Sequence, residues 1–325
     1  MRRLRLLVLA LSDRCDQRCA HCQIHLGPAG GRAPLSLAER LRVVEEALAA
    51  GAREALLTGG EPLISPDLWP VARRLAQGGA RLMLATNGLR LERHAREVAE
   101  LFDEVYVSLD GATPATHDAL RGVASFDRVV AGVAAVKRAR PGVRLVARAT
   151  LHAGNLAEFE AMLPAARAAG FDHLSFLPLD ASSEAFGGQP EARRALVPEA
   201  AAVDALEASI RSLAAAGALD GGFVLETPAK LLRLARHLRA SRGAARFERP
   251  ECDAPWWSSV VDVDGALRPC FFHAPVGDAR EGLAALRGSA RYGAALQAIA
   301  APNPVCERCV CPKRRAGSWL RRLTA

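Results

Sequence analysis

Cys15-Asp16-Gln17-Arg18-Cys19-Ala20-His21-Cys22 is the stretch on which the reading of this chain turns. Three cysteines spaced C-x3-C-x2-C follow an apolar run, Leu4-Arg5-Leu6-Leu7-Val8-Leu9-Ala10-Leu11, that reads as a buried first strand. In β/α barrels the chemistry is built from loops at the C-terminal ends of strands. A short loop with three thiolates there can ligate three irons of a 4Fe–4S cluster and leave the fourth iron open. A structural zinc site wants four closed ligands instead, and His21 or His25 could be the fourth. On this motif alone both readings stand.

Outward from that loop, short apolar strands alternate with amphipathic helices. Strands are expected at 4–11, 54–58, 81–86, 104–109, 143–151 and 173–178. Ser36 with Glu39 forms a capping box before Leu41, Val44 and Leu48, and Gly51 ends that helix. Ser65 and Pro66 precede a second helix reaching Gly78. Ser125 opens a helix to about Arg140, and Asn155 with Glu158 opens another that Gly170 closes. Six β–α units with parallel crossovers give an α/β fold, a partial (β/α)6 TIM-like barrel over residues 1–180. Residues 181–250 read as a helical insertion: a loop-like stretch at 180–197 containing Gly187-Gly188, then helices near 199–216 and 228–241. Residues 251–325 read as a C-terminal domain of a β-hairpin plus helices. Asp264-Gly265 between Val260-Val261-Asp262-Val263 and Ala266-Leu267-Arg268 is the hairpin signal. Short helices are expected near 281–287 and 289–300.

The 325 residues fit one large α/β domain with an appendage, and half of them are hydrophobic. No apolar run reaches the roughly 20 residues needed to span a bilayer. The start resembles a signal peptide, but Asp13 and Arg14 follow at once and no small-residue cleavage site appears. A buried strand and a cytoplasmic protein are expected. The net charge of +8 is almost all arginine. Those arginines are spread over helices rather than gathered with aromatics, so they read as solvated faces and no nucleic-acid partner is expected. The eight cysteines fall into two groups, Cys15, Cys19 and Cys22, then Cys252, Cys270, Cys306, Cys309 and Cys311. Clusters of that kind in a reducing compartment point to metal or redox chemistry rather than disulfides.

Further motifs lie in order at the strand ends. Thr58-Gly59-Gly60-Glu61-Pro62-Leu63 ends the second strand, Thr86-Asn87-Gly88 the third, and Ser108-Leu109-Asp110-Gly111 the fourth. His117-Asp118-x2-Arg121-Gly122 follows, Thr150 and Asn155 flank the end of the fifth strand, and Leu177-Pro178 ends the sixth. With the cysteine loop, this series resembles the radical S-adenosylmethionine (radical SAM) superfamily over residues 4–178. The family usually has an aromatic residue before the third cysteine, where this chain has His21. The resemblance implies that Cys15, Cys19 and Cys22 hold a 4Fe–4S cluster and that Gly59, Gly60 and Glu61 bind the amino group of SAM. Glycines let the backbone approach the ligand, and carboxylate and carbonyl oxygens accept from an ammonium. Thr86 and Asn87 belong to the same cofactor site, Ser108 and Asp110 meet the SAM ribose and carboxylate, and Leu177 lies where relatives touch adenine. The implied chemistry is one-electron cleavage of SAM to methionine and a 5′-deoxyadenosyl radical, which abstracts hydrogen from an unactivated C–H bond. The cofactor does the hard chemistry, so no general acid–base pair is nominated.

Cys252, Gly265-x4-Cys270 and Cys306-x2-Cys309-x-Cys311-Pro312 resemble the twitch domain, the shortened form of the SPASM auxiliary-cluster domain. The resemblance implies a second 4Fe–4S cluster on Cys252, Cys270, Cys306 and Cys309. The full SPASM domain has more cysteines downstream; this chain ends before they could appear, so one auxiliary cluster is expected. Cys311 could replace Cys309 as ligand, stay free, or donate a proton or hydrogen. A Cys-x2-Cys with a distant pair is also a zinc-ribbon signature. Four thiolates would saturate the cluster, which favours a role as electron acceptor.

Twitch and SPASM relatives act on peptides, sugars, tetrapyrroles and cofactor precursors. The first expectation is a peptide- or natural-product-modifying enzyme, supplied with electrons by a reductant such as flavodoxin or ferredoxin. The first barrel strand begins at residue 4, so the leader-binding domain of many peptide maturases is expected to be absent or a separate protein. The alternatives are an oxidoreductase of a small molecule (sugar, alcohol or tetrapyrrole) and a non-catalytic iron–sulfur or zinc protein. The insertion at 180–250 and Trp256-Trp257 are expected to shape the substrate pocket, or the tryptophans to pack against the auxiliary cluster. Arg233, Arg236, Arg239, Arg242 and Arg246 could meet an acidic partner or form a solvated face.

Overall fold

The computed structural model describes residues 3–26, 32–185 and 190–313. Gly187-Gly188 and the chain beyond 313 lie outside the described residues. In chain order the elements are β1 (Leu6–Ala10), α1 (Leu37–Ala49), β2 (Glu54–Thr58), α2 (Leu68–Gln77), β3 (Arg81–Thr86), α3 (Ala95–Leu101), β4 (Glu104–Ser108), α4 (Pro114–Arg121) and α5 (Phe126–Ala139). They continue with β5 (Arg144–Leu151), α6 (Met162–Ala168), β6 (His173–Pro178), α7 (Pro190–Arg194), α8 (Ala200–Ala215) and α9 (Pro228–Ser241). The last are α10 (Ala254–Trp257), β7 (Ser258–Val261), β8 (Ala266–Arg268), β9 (Gly277–Asp278), α11 (Leu283–Gly288), α12 (Ala290–Ala300) and α13 (Pro304–Glu307). The six expected strands are present within a residue or two of their expected limits. The alternation of parallel strands and helices is the partial-barrel α/β architecture that the periodicity indicated.

Two compact units form, one from Met1–Asp13, Gly30–Leu82 and Glu248–Ala325, the other from Arg14–Ala29 and Met83–Phe247. In the first unit β1 pairs in parallel with β2 on one side and with β7 on the other. β7, β8 and β9 then continue antiparallel. The hairpin turns at Gly265, whose φ of +87° favours glycine and whose added Cβ would lie 2.8 Å from Asp278 Oδ1. On α1 the Ser36–Glu39 capping box forms as expected, and Arg40, Val43, Val44 and Ala47 make the buried stripe at helical spacing. α2 starts at Leu68 rather than behind Ser65. The Ser65 hydroxyl instead donates to Leu11 O at 3.2 Å, and Asp67 occupies the helix N-cap.

In the second unit β3, β4, β5 and β6 pair in parallel, with Val105, Val107, Leu145, Ala147, Leu174 and Phe176 buried. The segment after α8 extends that sheet: Leu174 N donates to Phe223 O and Leu225 N to Leu174 O, which covers the edge of β6. Asn155 with Glu158 opens only a 3-10 turn, without a side-chain cap, and not the helix that Gly170 follows. Asn155 Nδ2 donates to Asp110 O at 3.0 Å and to Thr150 O at 2.8 Å, while Glu158 accepts from Ala112 N at 2.6 Å. Distant backbone claims both side chains, only a short 3-10 turn follows, and α6 begins later, at Met162. The stretch at 180–197 carries the short helix α7, which the composition did not reveal.

Candidate functional site

Cys15, Cys19 and Cys22 lie on the loop that leaves β1, and none is in a disulfide. Two strand and helix ends hold this loop. From the end of β3, Asn87 Nδ2 lies 3.6 Å from Cys15 Sγ and donates to Asp16 Oδ1 at 2.8 Å, and Arg90 Nε donates to Asp16 Oδ2 at 2.7 Å. From the end of α4, Leu120 O accepts from Ala20 N at 3.0 Å and Arg121 O accepts from Arg18 N at 3.1 Å. The carbonyls that a helix leaves unpaired at its C-terminus therefore satisfy the loop's amides. Gly122 closes α4 at φ +68°, and a Cβ there would lie 2.6 Å from Arg18 O. The Arg121-Gly122 motif thus anchors the cysteine loop, a role that sequence reading did not assign to it.

The side chain of Arg121 is buried beneath the same loop. Its Nη1 donates to Cys19 Sγ at 3.5 Å and its Nη2 lies 2.6 Å from Asp110 Oδ2. Asp110, fully buried beyond the end of β4, also accepts from Thr150 N at 2.7 Å. Burial would push the Asp110 carboxyl up, but the Arg121 guanidinium and His21 outweigh it and hold it below the usual range. Arg121 is likewise held above its ordinary value against the cost of burial, by Asp110 and then Cys19. His21 faces Asp110 with its Nε2 at 4.0 Å and packs against the His152 ring at 5.5 Å between centroids. Burial pulls the His21 pKa down to about 4, so the ring is neutral at pH 7. Thr86 Oγ1 accepts from Gly88 N at 3.1 Å, and Ser108 and Leu177 lie half-buried at the ends of β4 and β6.

In the first unit, Gly59 stands at φ +133° with a potential Cβ 2.5 Å from Ser12 O, so only glycine fits. Gly60 N donates to Ser12 O at 2.6 Å. Glu61 is fully buried and caps the following 3-10 turn by accepting from Leu63 N at 2.9 Å.

The C-terminal cysteines line a separate cavity in that unit. Cys252, Cys270, Cys306 and Cys309 face a space of about 360 Å³, together with Arg249, Trp256, Phe272 and His273. Cys311 is not among its lining residues. Burial pushes the Cys270 thiol up to about 12, and Cys309, Cys252 and Cys306 push it the same way. His273 Nε2 lies 3.4 Å from Cys306 Sγ. Trp256 thus packs at the cysteine cavity, while Trp257 donates to Asp253 Oδ1 at 2.8 Å. Of the arginines on and after α9, Arg239 pairs with Asp204 and Glu207 and Arg242 with Glu199, which ties α9 to the start of α8.

The residues of the first loop fit a 4Fe–4S cluster. Three sulfurs on one short loop are the donor set, and buried nitrogens beside them, Gln17 Nε2 and His21 Nδ1, lack hydrogen-bond partners. Among the described residues no three His, Cys, Asp or Glu side chains gather as they would around a single metal ion. A four-iron cluster gives each thiolate its own iron and does not ask for that crowding.

A parallel β/α fold with a three-cysteine loop following its first strand in the chain defines a class of partial-barrel iron–sulfur enzyme. Residues 9–175 match the model of the radical SAM superfamily, and the chain belongs to that family. The family implies a 4Fe–4S cluster, SAM and SAM-cleaving chemistry. Among curated relatives, the chain is 33% identical over 138 residues to the AdoMet-dependent heme synthase of Methanosarcina barkeri, covering 42% of this chain and 40% of that protein. It is 29% identical over 285 residues to GTP 3′,8-cyclase 1 of Pseudomonas aeruginosa, covering 84% and 81%. It spans about half the length of several other GTP 3′,8-cyclases that it matches. Among solved structures, Streptococcus suis SuiB bound to its precursor peptide SuiA is similar with a TM-score of 0.65 at 16% identity, over 90% of this chain and 66% of that one. The anSMEcpe structure with bound AdoMet and the Cp18Cys peptide gives 0.63 at 16% identity, over 94% and 86%. At those identities the likeness establishes the fold. Among the described residues no helix is long and apolar enough to cross a membrane.

Proposed function

We propose that this chain uses the SAM-derived radical to abstract hydrogen from a peptide or natural-product substrate and passes the electron left on that substrate to an auxiliary 4Fe–4S cluster in residues 251–325. The observation that carries the reading is the cavity shared by Cys252, Cys270, Cys306 and Cys309, in a chain that also carries the three-cysteine loop. The first cluster, when bound, supplies the electron that splits SAM. Around it, Cys15, Cys19 and Cys22 would be the ligands, and Asn87 and Arg121 would fix their loop. Gly59, Gly60 and Glu61 would receive the amino group of SAM, Ser108 and Asp110 the ribose and carboxylate, and Leu177 the adenine, with Thr86 and Asn87 in the same cofactor site. The peptide-bound neighbours support a peptide substrate at the level of fold. The cyclase relative, aligned over most of both chains, supports a second reading, a nucleotide or other small molecule. A cytoplasmic setting and an acidic donor such as flavodoxin or ferredoxin complete the proposal. A cleft of about 330 Å³ beside Asp16, lined by Arg90, Arg93, Arg128 and Glu92, supports such a donor.

Anaerobic reconstitution with iron and sulfide, followed by dithionite and SAM, tests it. About eight irons per chain and release of 5′-deoxyadenosine are expected, with about four irons and no 5′-deoxyadenosine from a Cys15→Ala/Cys19→Ala/Cys22→Ala variant. Stoichiometric zinc in the C-terminal site would overturn the acceptor role. Consumption of GTP in the same assay would replace the peptide reading by the nucleotide one.

A further inference from the structure

We infer that Arg121 is a positioning residue that raises the reduction potential of the cluster on Cys15, Cys19 and Cys22, and that Asp110 holds this effect in check. The inference rests on the reading of those cysteines as cluster ligands. Its geometric basis is one buried guanidinium with two commitments, Nη1 to Cys19 Sγ at 3.5 Å and Nη2 to Asp110 Oδ2 at 2.6 Å. Arg121 is 6% exposed and Asp110 is fully buried, so neither charge is screened by water.

The sign follows from electrostatics. Reduction adds one negative charge to the cluster and its thiolates. A cation that donates to a ligand sulfur stabilises the more negative state, and its hydrogen bond strengthens as charge builds on the sulfur. Asp110 acts the other way, since its carboxylate opposes added negative charge and draws on the same guanidinium. Asp110 is itself fixed by Thr150 N at 2.7 Å, so the pair is anchored from β5 as well as from α4. A purely structural role for Arg121 is already filled by its backbone, whose carbonyl accepts from Arg18 N whatever the side chain. The side chain is therefore open to test separately from the anchor.

The test is an anaerobic potentiometric titration of the full reconstituted chain followed by electron paramagnetic resonance. The first cluster's signal is assigned by its change on adding SAM. Wild type is compared with Arg121→Gln, Arg121→Lys, Asp110→Asn and the Arg121→Gln/Asp110→Asn pair. Arg121→Gln is expected to shift the midpoint downward, Asp110→Asn upward, Arg121→Lys to fall between wild type and Arg121→Gln, and the pair to lie between the two single variants. Opposite shifts from the two partners are not a result of general damage to the site. Equal midpoints in wild type and Arg121→Gln, or shifts of one sign in both single variants, overturn the inference. If Arg121→Gln takes up no cluster, the signs for Arg121→Lys and Asp110→Asn decide it. A wild-type chain with no reducible first cluster overturns the functional reading and this inference with it.

Discussion

Gly122 shows how one backbone position can govern a cofactor loop. Its φ of +68° lies where an L side chain is strained by about 1–2 kcal/mol, and its missing Cβ makes room for Arg18 O 2.6 Å away. Gly122→Ala is therefore expected to lower the stability of the apo chain by at least that amount. It should also push the Arg18–Ala20 stretch off the end of α4, with loss of iron from the first cluster and retention of iron in the second. Urea unfolding and iron analysis check both effects, and a variant with wild-type iron content and midpoint would show that the loop does not depend on this contact. None of this was readable beforehand. Arg121-Gly122 stands in the series of motifs along the sequence without any sign of what it holds, and its partners Arg18 and Cys19 lie about a hundred residues earlier in the chain. The three cysteines were legible because their spacing is local; the residues that orient them were not, because their contacts are long-range.

At the level of elements, α4 is tied to the rest of its unit through His117. Its Nδ1 accepts from Asp110 N at 3.2 Å and its Nε2 lies 3.1 Å from Ser125 Oγ, so the ring acts as acceptor on one side and donor on the other. Protonation would place a donor against a donor at Nδ1. Burial, with the charge of Arg121, holds the His117 pKa down at about 4. Below the ordinary value of about 6.5, the unfolded chain takes up a proton that the folded chain refuses. Stability from this group is thus complete above pH 6.5 and declines as pH falls toward 4, by up to about 1.4 kcal/mol per pH unit. His237, buried on α9 and also held near 4, adds to the same window. The urea midpoint of the apo chain should fall between pH 6.5 and 4.5, and less steeply in His117→Gln. Parallel profiles would remove His117 as a source. Strands β1 to β6 and helices α1, α5, α8 and α9 were legible because period and caps are local signals. The pairing of β7 with β1 joins residues about 250 apart, and the capture of Asn155 by Asp110 O cannot be inferred from an Asn-x2-Glu pattern.

For the whole molecule, the presence of two cysteine groups allows a complementary experiment on the role of the second. If the C-terminal cluster accepts the substrate's electron, its loss should not prevent SAM cleavage driven by dithionite, because that step needs only the first cluster and SAM. It should prevent the step after hydrogen abstraction, since a substrate radical with no acceptor cannot reach a two-electron-oxidised product. Cys270→Ala is the variant to use. Cys270 lines the cavity with Cys252, Cys306 and Cys309, and burial raises its thiol to about 12, so it is a thiolate at neutral pH only with a metal present. Removing it should cost about four irons per chain and leave 5′-deoxyadenosine release within a few-fold of wild type. With substrate present, wild type should couple each 5′-deoxyadenosine to one oxidised product, and the variant should release 5′-deoxyadenosine with little product. Isotope transfer from labelled substrate to 5′-deoxyadenosine would show that abstraction survives. Full coupling in Cys270→Ala would remove the acceptor role and leave the C-terminal cysteines a structural one. Loss of 5′-deoxyadenosine together with the four irons would mean instead that the second cluster serves the first, as a relay from the external donor.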